Sequence, residues 1–186
     1  MEFFPILQIG FLNGWLFFIL HVMLQMIHLK LCPKEVVKRL FDRSDWMRKQ
    51  IIFTVSGKIF GLVNIILIFL TPLKIGAIEF IIGVILFSIS QVLLHVAIYN
   101  FKRVPLGKPI TTGLYKVSRN PQQLSLDIMF LGLCFMIGSW LSIIILMISV
   151  TCAHFGILGE EKRLKEQYGE SYLEYKKKVP RYLIFF

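Results

Sequence analysis

Two short polar stretches hold most of the side chains that could do chemistry. The first contains Arg119, Asn120 and Pro121; the second begins with Glu160 and Glu161. An arginine offers a planar fork suited to a carboxylate or a phosphate. Asparagine has one acceptor and two donors but cannot titrate. Paired glutamates accept hydrogen bonds from hydroxyl or ammonium groups. Tyr168, Tyr172 and Tyr175 follow at spacings of four and three, one stripe of a helix. Each feature also has a structural use. Pro121 suits the first turn of a helix, with Arg119 on a lipid phosphate. Glu161 and Lys165 are four apart and suit a surface ion pair, and a tyrosine stripe suits packing.

The elements that must position these groups are written in the composition. The 186 residues are 56% hydrophobic and 17% charged, with mean hydropathy +0.70. Soluble domains have about 25% charged residues, so lipid must cover part of this chain. Long apolar stretches predict an all-α integral membrane protein of about five transmembrane helices, over residues 9–31, 51–73, 77–99, 124–138 and 139–158. The last two form a hairpin broken at Gly138-Ser139, and a cytoplasmic helical segment follows, breaking at Gly169. No segment reads as a strand.

Charge predicts the orientation. Lys34, Lys38, Arg39, Arg43, Arg48 and Lys49 fall between the first two spans, and further basic clusters lie after spans three and five. Lys74 is the basic residue of the opposite side. The N-terminus is therefore expected outside and the C-terminus in the cytoplasm. The net charge of +10 belongs to these loops, and no nucleic-acid partner is expected. Residues 32–50 predict a basic surface connector, and Pro105, Gly107, Pro109 and Gly113 predict a turn-rich loop. Cys32, Cys134 and Cys152 read as small buried hydrophobes.

Ionisable and polar groups inside the spans are functional candidates by default. His21, Gln25 and His28 share a helical stripe, as do Gln91 and His95; Lys58, Asp127 and His154 stand apart. They suit a headgroup cavity, bonds between helices, or snorkelling side chains. No metal is expected.

The two polar stretches, TTGLYKVSRNPQQ (111–123) and GEEKRLKEQYGESYLEYKKKVPRYL (159–183), resemble the isoprenylcysteine carboxyl methyltransferases and the wider group of membrane methyltransferases, which includes phospholipid N-methyltransferases. That family carries a T-x-G-x-Y turn, Arg-His-Pro, a hydrophobic hairpin, then paired glutamates leading into F/Y-G-x-x-Y-x-x-Y. Here Asn120 replaces the histidine and Gln123 the usual tyrosine. The resemblance covers roughly the last 80 residues, and residues 172–180 lie closest to the isoprenylcysteine enzymes.

What the resemblance implies is S-adenosylmethionine in a cytoplasmic pocket built by residues 108–123 and 159–183. Thr112, Gly113, Tyr115, Asn120, Pro121 and Glu160 would line the cofactor, with Arg119 and Glu161 as catalytic residues. The methyl group would pass to a membrane lipid or lipid-like acceptor. Carboxylate methylation is the first expectation, phospholipid amine or small thiol the next. A related membrane architecture serves NADPH-dependent sterol reductases, and a non-catalytic scaffold or transporter subunit is the other rival. There is no G-x-G-x-x-G, phosphate loop or H-E-x-x-H to suggest a soluble-type site.

Overall fold

The computed structural model of the chain describes residues 1–41, 48–105 and 108–183. Arg43 of the basic connector and Gly107 of the turn-rich loop lie outside the described residues, as do residues 184–186. Seven helices are present among the described residues: α1 (Trp15–Lys30), α2 (Lys34–Phe41), α3 (Arg48–Leu70), α4 (Ile78–Lys102), α5 (Pro121–Met136), α6 (Trp140–Tyr168) and α7 (Glu170–Lys178), with a 3-10 turn at Gly113–Lys116. The chain is an all-α membrane protein, and no strand occurs among the described residues.

Helices α3, α4 and α6 are long and apolar enough to cross a membrane; α1 is apolar but 16 residues long. Much of their surface is outward-facing hydrocarbon. On α3, Ile51, Ile52, Val55, Ile59, Val63 and Ile66 are all exposed. A soluble fold does not leave such a patch uncovered; a lipid-facing helix must.

With lipid as apolar as leucine, close packing rather than hydrophobic burial drives helix association. The pairings follow small residues. Helices α4 and α5 run antiparallel and cross where Gly83 meets Gly132. A Cβ on Gly83 would stand 2.6 Å from the Gly132 carbonyl, and one on Gly132 would stand 2.8 Å from the Gly83 carbonyl. Phe87, Met129, Leu133, Met136 and Ile68 close the core around that crossing. Helices α3 and α6 are likewise antiparallel. Gly57 accepts at its carbonyl from Ser149 Oγ at 2.9 Å, and Gly156 and Gly159 sit against Thr54 and Gln50. Deeper, Asn64, Ser142 and Cys134 form a buried hydrogen-bonded node.

The first fourteen residues are not helical, although residues 9–31 predict one span. Asn13 Nδ2 donates to the Gln8 and Phe69 carbonyls at 2.7 and 2.9 Å, and Gly14 N donates to Thr71 O at 3.2 Å. These bonds strap the segment across the end of α3. Glu2 reaches the α5–α6 turn, where Gly138 has φ +63°, and its carboxylate pairs with Lys74 at 2.6 Å.

At the opposite end, α6 continues without interruption where a separate polar helix is expected after residue 158. Its 29 residues make about 43 Å of helix, against a hydrocarbon core of about 30 Å. The surplus carries Glu160 and Glu161 beyond the apolar layer. Gly169, φ +55°, then turns the chain into α7.

Candidate functional site

Arg119 and Glu161, 42 residues apart in sequence, meet at the centre of the polar end. Arg119 Nε donates to Glu161 Oε1 at 3.0 Å, and the two side chains are 2% and 5% exposed. Arg181 completes the cluster, its Nε and Nη2 donating to the two Glu161 oxygens at 3.0 Å each. Lys176 stands 3.7 Å from Oε2. Glu161 therefore serves two guanidiniums rather than the i+4 partner Lys165. Burial pushes its carboxyl up, but Arg181 and Arg119 outweigh that and hold it below the usual carboxylate range.

Arg119 also binds backbone. Its Nη1 donates to the carbonyls of Lys176 and Val179 at 3.1 and 2.5 Å, while its own N–H donates to Pro180 O at 2.9 Å. Ser118 Oγ and Asn120 Nδ2 both donate to Arg181 O, at 3.1 and 3.2 Å. Tyr175 OH donates to Tyr115 O at 2.6 Å. Residues 176–181 are thus strapped over residues 115–120. Asn120, standing where the resemblance expects histidine, supplies one of the straps. One polar atom is left over: Arg119 Nη2 is buried and makes no hydrogen bond, although it lies 3.0 Å from Glu161 Oε1.

Beneath this cluster is a cavity of about 920 Å³. Its polar end is lined by Tyr115, Arg119, Asn120, Glu160, Glu161 and Tyr172, and its deep end by Leu62, Ile65, Leu126 and Phe130. From Thr54 to Ile65 it follows α3 for about 17 Å. Gln122 Nε2 donates to Tyr115 OH at 2.8 Å, and burial drives that hydroxyl well above the usual tyrosine range. Tyr115 is a neutral hydrogen-bonding group at any physiological pH.

The structure brings together Tyr115, Arg119, Asn120, Pro121, Glu160 and Glu161 around one cavity. It does not bring Thr112 or Gly113 there. Both are exposed. Gly113 has φ +60°, and a Cβ on it would fall 2.1 Å from Asn100 Nδ2, so its role is the turn itself. Tyr172 and Tyr175 are buried against Val179 and also face the cavity.

Arg181 carries no motif signal beyond its place in a basic cluster, and sequence reasoning misses it. The polar residues within the spans are largely joined in pairs. His21 Nδ1 lies 3.0 Å from Gln91 Oε1, Gln25 Nε2 lies 3.5 Å from His95 Nδ1, and Gln123 Nε2 donates to Asp127 at 2.8 Å. His154 Nδ1 lies 3.1 Å from Tyr182 OH, whose pKa burial pushes up to about 12. No cluster of metal-ligating side chains occurs among the described residues.

The fold and the site define a class, the multi-pass helical membrane proteins with a polar pocket at one end of an apolar cavity. The family model for phospholipid methyltransferases matches residues 52–171. The chain belongs to the phospholipid methyltransferase family, which bears out the resemblance and marks it as a membrane methyltransferase. Comparison with curated proteins finds no match. The matched residues run from α3 into α7. They include the Arg119 stretch and the first part of the Glu161 stretch, and stop short of residues 172–180, where the likeness to isoprenylcysteine enzymes is greatest.

Proposed function

We propose that the chain transfers a methyl group from S-adenosylmethionine to a lipid-tailed acceptor, with the reaction centre beside the Arg119–Glu161–Arg181 cluster. The observation that carries this is the continuity of one cavity from that cluster to the apolar Ile65 and Phe130. A polar cofactor and an apolar chain can share it.

The cofactor's chemistry fits the residues present. It supplies an activated methyl on a sulfonium, so the protein need only bind, orient and exclude water. Arg119 Nη2, which is ion-paired with Glu161 but makes no hydrogen bond, suits the cofactor's amino-acid carboxylate, and Glu160 suits its ammonium or ribose hydroxyls. Tyr115 offers a neutral hydrogen bond. Glu161 holds Arg119 and Arg181 in place, which makes it a positioning residue as much as a contact. The polar end faces the cytoplasm on the distribution of basic loops, which gives an outside N-terminus and about five spans with α1 and α5 as the shorter ones.

The reacting group is a carboxylate. Arg39, Lys58, Arg119 and Arg163 line the cavity against Glu160 and Glu161, and that cationic excess attracts an acid and repels an ammonium. A carboxylate also needs no base to release its lone pair. A second acceptor, the amine of a phospholipid, is favoured by the family to which the chain belongs; Glu160 would then stabilise the ammonium.

Labelled methyl transfer separates the two. Purified chain in detergent, given methyl-tritiated S-adenosylmethionine and either a farnesylated N-acetylcysteine or phosphatidylethanolamine, should label the acid. The label should come off as volatile methanol in base, as an ester does and an N-methyl group does not. Base-stable label on the amine would select the second acceptor. Absence of cofactor binding by calorimetry would sink both.

A further inference from the structure

Lys58 is a cation for which the cluster above has no use. It lies within α3, is exposed, and lines the cavity with its neighbours Thr54, Gly61 and Leu62. Among the described residues no carboxylate pairs with it. An ionisable side chain within a membrane span is costly and ordinarily has a partner.

Its depth can be read from the helix register. Gln50 sits against Gly159 and Thr54 against Gly156, so Gln50 is level with the paired glutamates. Lys58 comes eight residues later, about 12 Å further along the helix. Beyond it the cavity wall is apolar, formed by Leu62, Ile65 and Phe130. The cavity thus has three zones in order: the arginine–glutamate cluster, one unpaired cation, and hydrocarbon. That order matches an amphiphile with a reactive headgroup, an anionic group and a tail.

We propose that Lys58 is the anion-holding residue of an acceptor site, pairing with a phosphate or carboxylate on a lipid-like molecule whose tail lies along Leu62, Ile65 and Phe130. A helical side chain leans toward the N-terminus of its helix, which in α3 is the polar end, and a four-carbon stem lets the ammonium extend that way, so an anion held there would lie close to the reacting group. That the bound amphiphile is a methyl acceptor rests on the function proposed above; the anion site itself does not.

The test is ligand binding to the full chain in a neutral detergent, without cofactor. The probes are dodecyl phosphate, dodecanoate and the uncharged dodecanamide, against wild type, Lys58→Met and Lys58→Arg. Wild type should bind at least one anion tenfold or more tighter than the amide. Lys58→Met should lose that preference while keeping amide affinity, and Lys58→Arg should retain it within a few fold. A thermal melt in the same detergent checks that each variant is folded.

Tighter phosphate binding assigns the anion to a phosphate-bearing lipid, and tighter carboxylate binding assigns it to a carboxylate-bearing one. An anion preference that survives Lys58→Met, or none in wild type, overturns the proposal. A parallel S-adenosylmethionine titration separates the two ideas. Anion preference without cofactor binding keeps the Lys58 site and removes the methyltransfer reading; cofactor binding without anion preference does the reverse.

Discussion

Glu161 is the residue on which the polar end turns, because one carboxylate pairs with two guanidiniums held by different segments. Glu161→Gln keeps the shape and removes the charge, leaving Arg119 and Arg181 facing each other without it. Breaking a buried pair from one side costs about 3–5 kcal/mol, so the melting midpoint in detergent should fall clearly. S-adenosylmethionine affinity should weaken tenfold or more, and unchanged affinity would remove Glu161 from the pocket's construction. The pH dependence follows from the same contacts. The folded carboxyl sits below its ordinary value of 4.5. Its contribution is complete above that value and is lost as pH falls through the lower folded value. Wild type should therefore lose stability in the window below pH 4.5, and Glu161→Gln should show a flatter melting profile there.

Two glycines set the elements, one by close contact and one by backbone conformation, and they predict different kinds of damage. At the α4–α5 crossing the obstacle to a Cβ on Gly83 is backbone, at 2.6 Å, which cannot rotate away. Gly83→Ala should force the helices apart and cost about 1–3 kcal/mol or more, measured as a lowered melting midpoint. At Gly169 nothing lies within 4 Å, so space is free and only the backbone objects. Its φ of +55° with ψ of −132° is open to glycine and costs other residues about 1–3 kcal/mol. Gly169→Ala should leave the membrane helices intact, seen as an unchanged circular dichroism spectrum, while re-aiming α7 and weakening cofactor binding. The α5–α6 hairpin at Gly138, the Gly169 break and Pro121 at the start of α5 were all legible in the sequence, since each is a local backbone rule. The strap of residues 1–14 was not, because it depends on Asn13 finding the end of α3. Nor was the role of Arg181, whose partner is 20 residues away and on another element. Thr112 and Gly113 carry family letters, yet their place in the fold is a turn outside the cavity.

For the molecule as a whole, the polar ends of α3, α4 and α6 and all of α7 gather on one side, with Lys74, Glu2 and Glu79 on the other. The excess of Lys and Arg on the first side predicts its location. A reporter fused after residue 186 should be active in the cytoplasm and a tag before residue 1 should be accessible from outside. Both on the same side would mean an even number of spans, and α1 or α5, at 16 residues each, would be the helix that fails to cross.

The strap of residues 176–181 over residues 115–120 also sets an order of events during synthesis. Helices α3 to α6 can enter the bilayer as their residues leave the ribosome, but the Arg119 guanidinium waits for the carbonyls of Lys176 and Val179, and Glu161 for Arg181. Until those arrive, the cluster has charge without architecture. A nascent chain stalled before residue 176 would be a membrane protein without a working pocket, so translation itself acts as the last step of assembly.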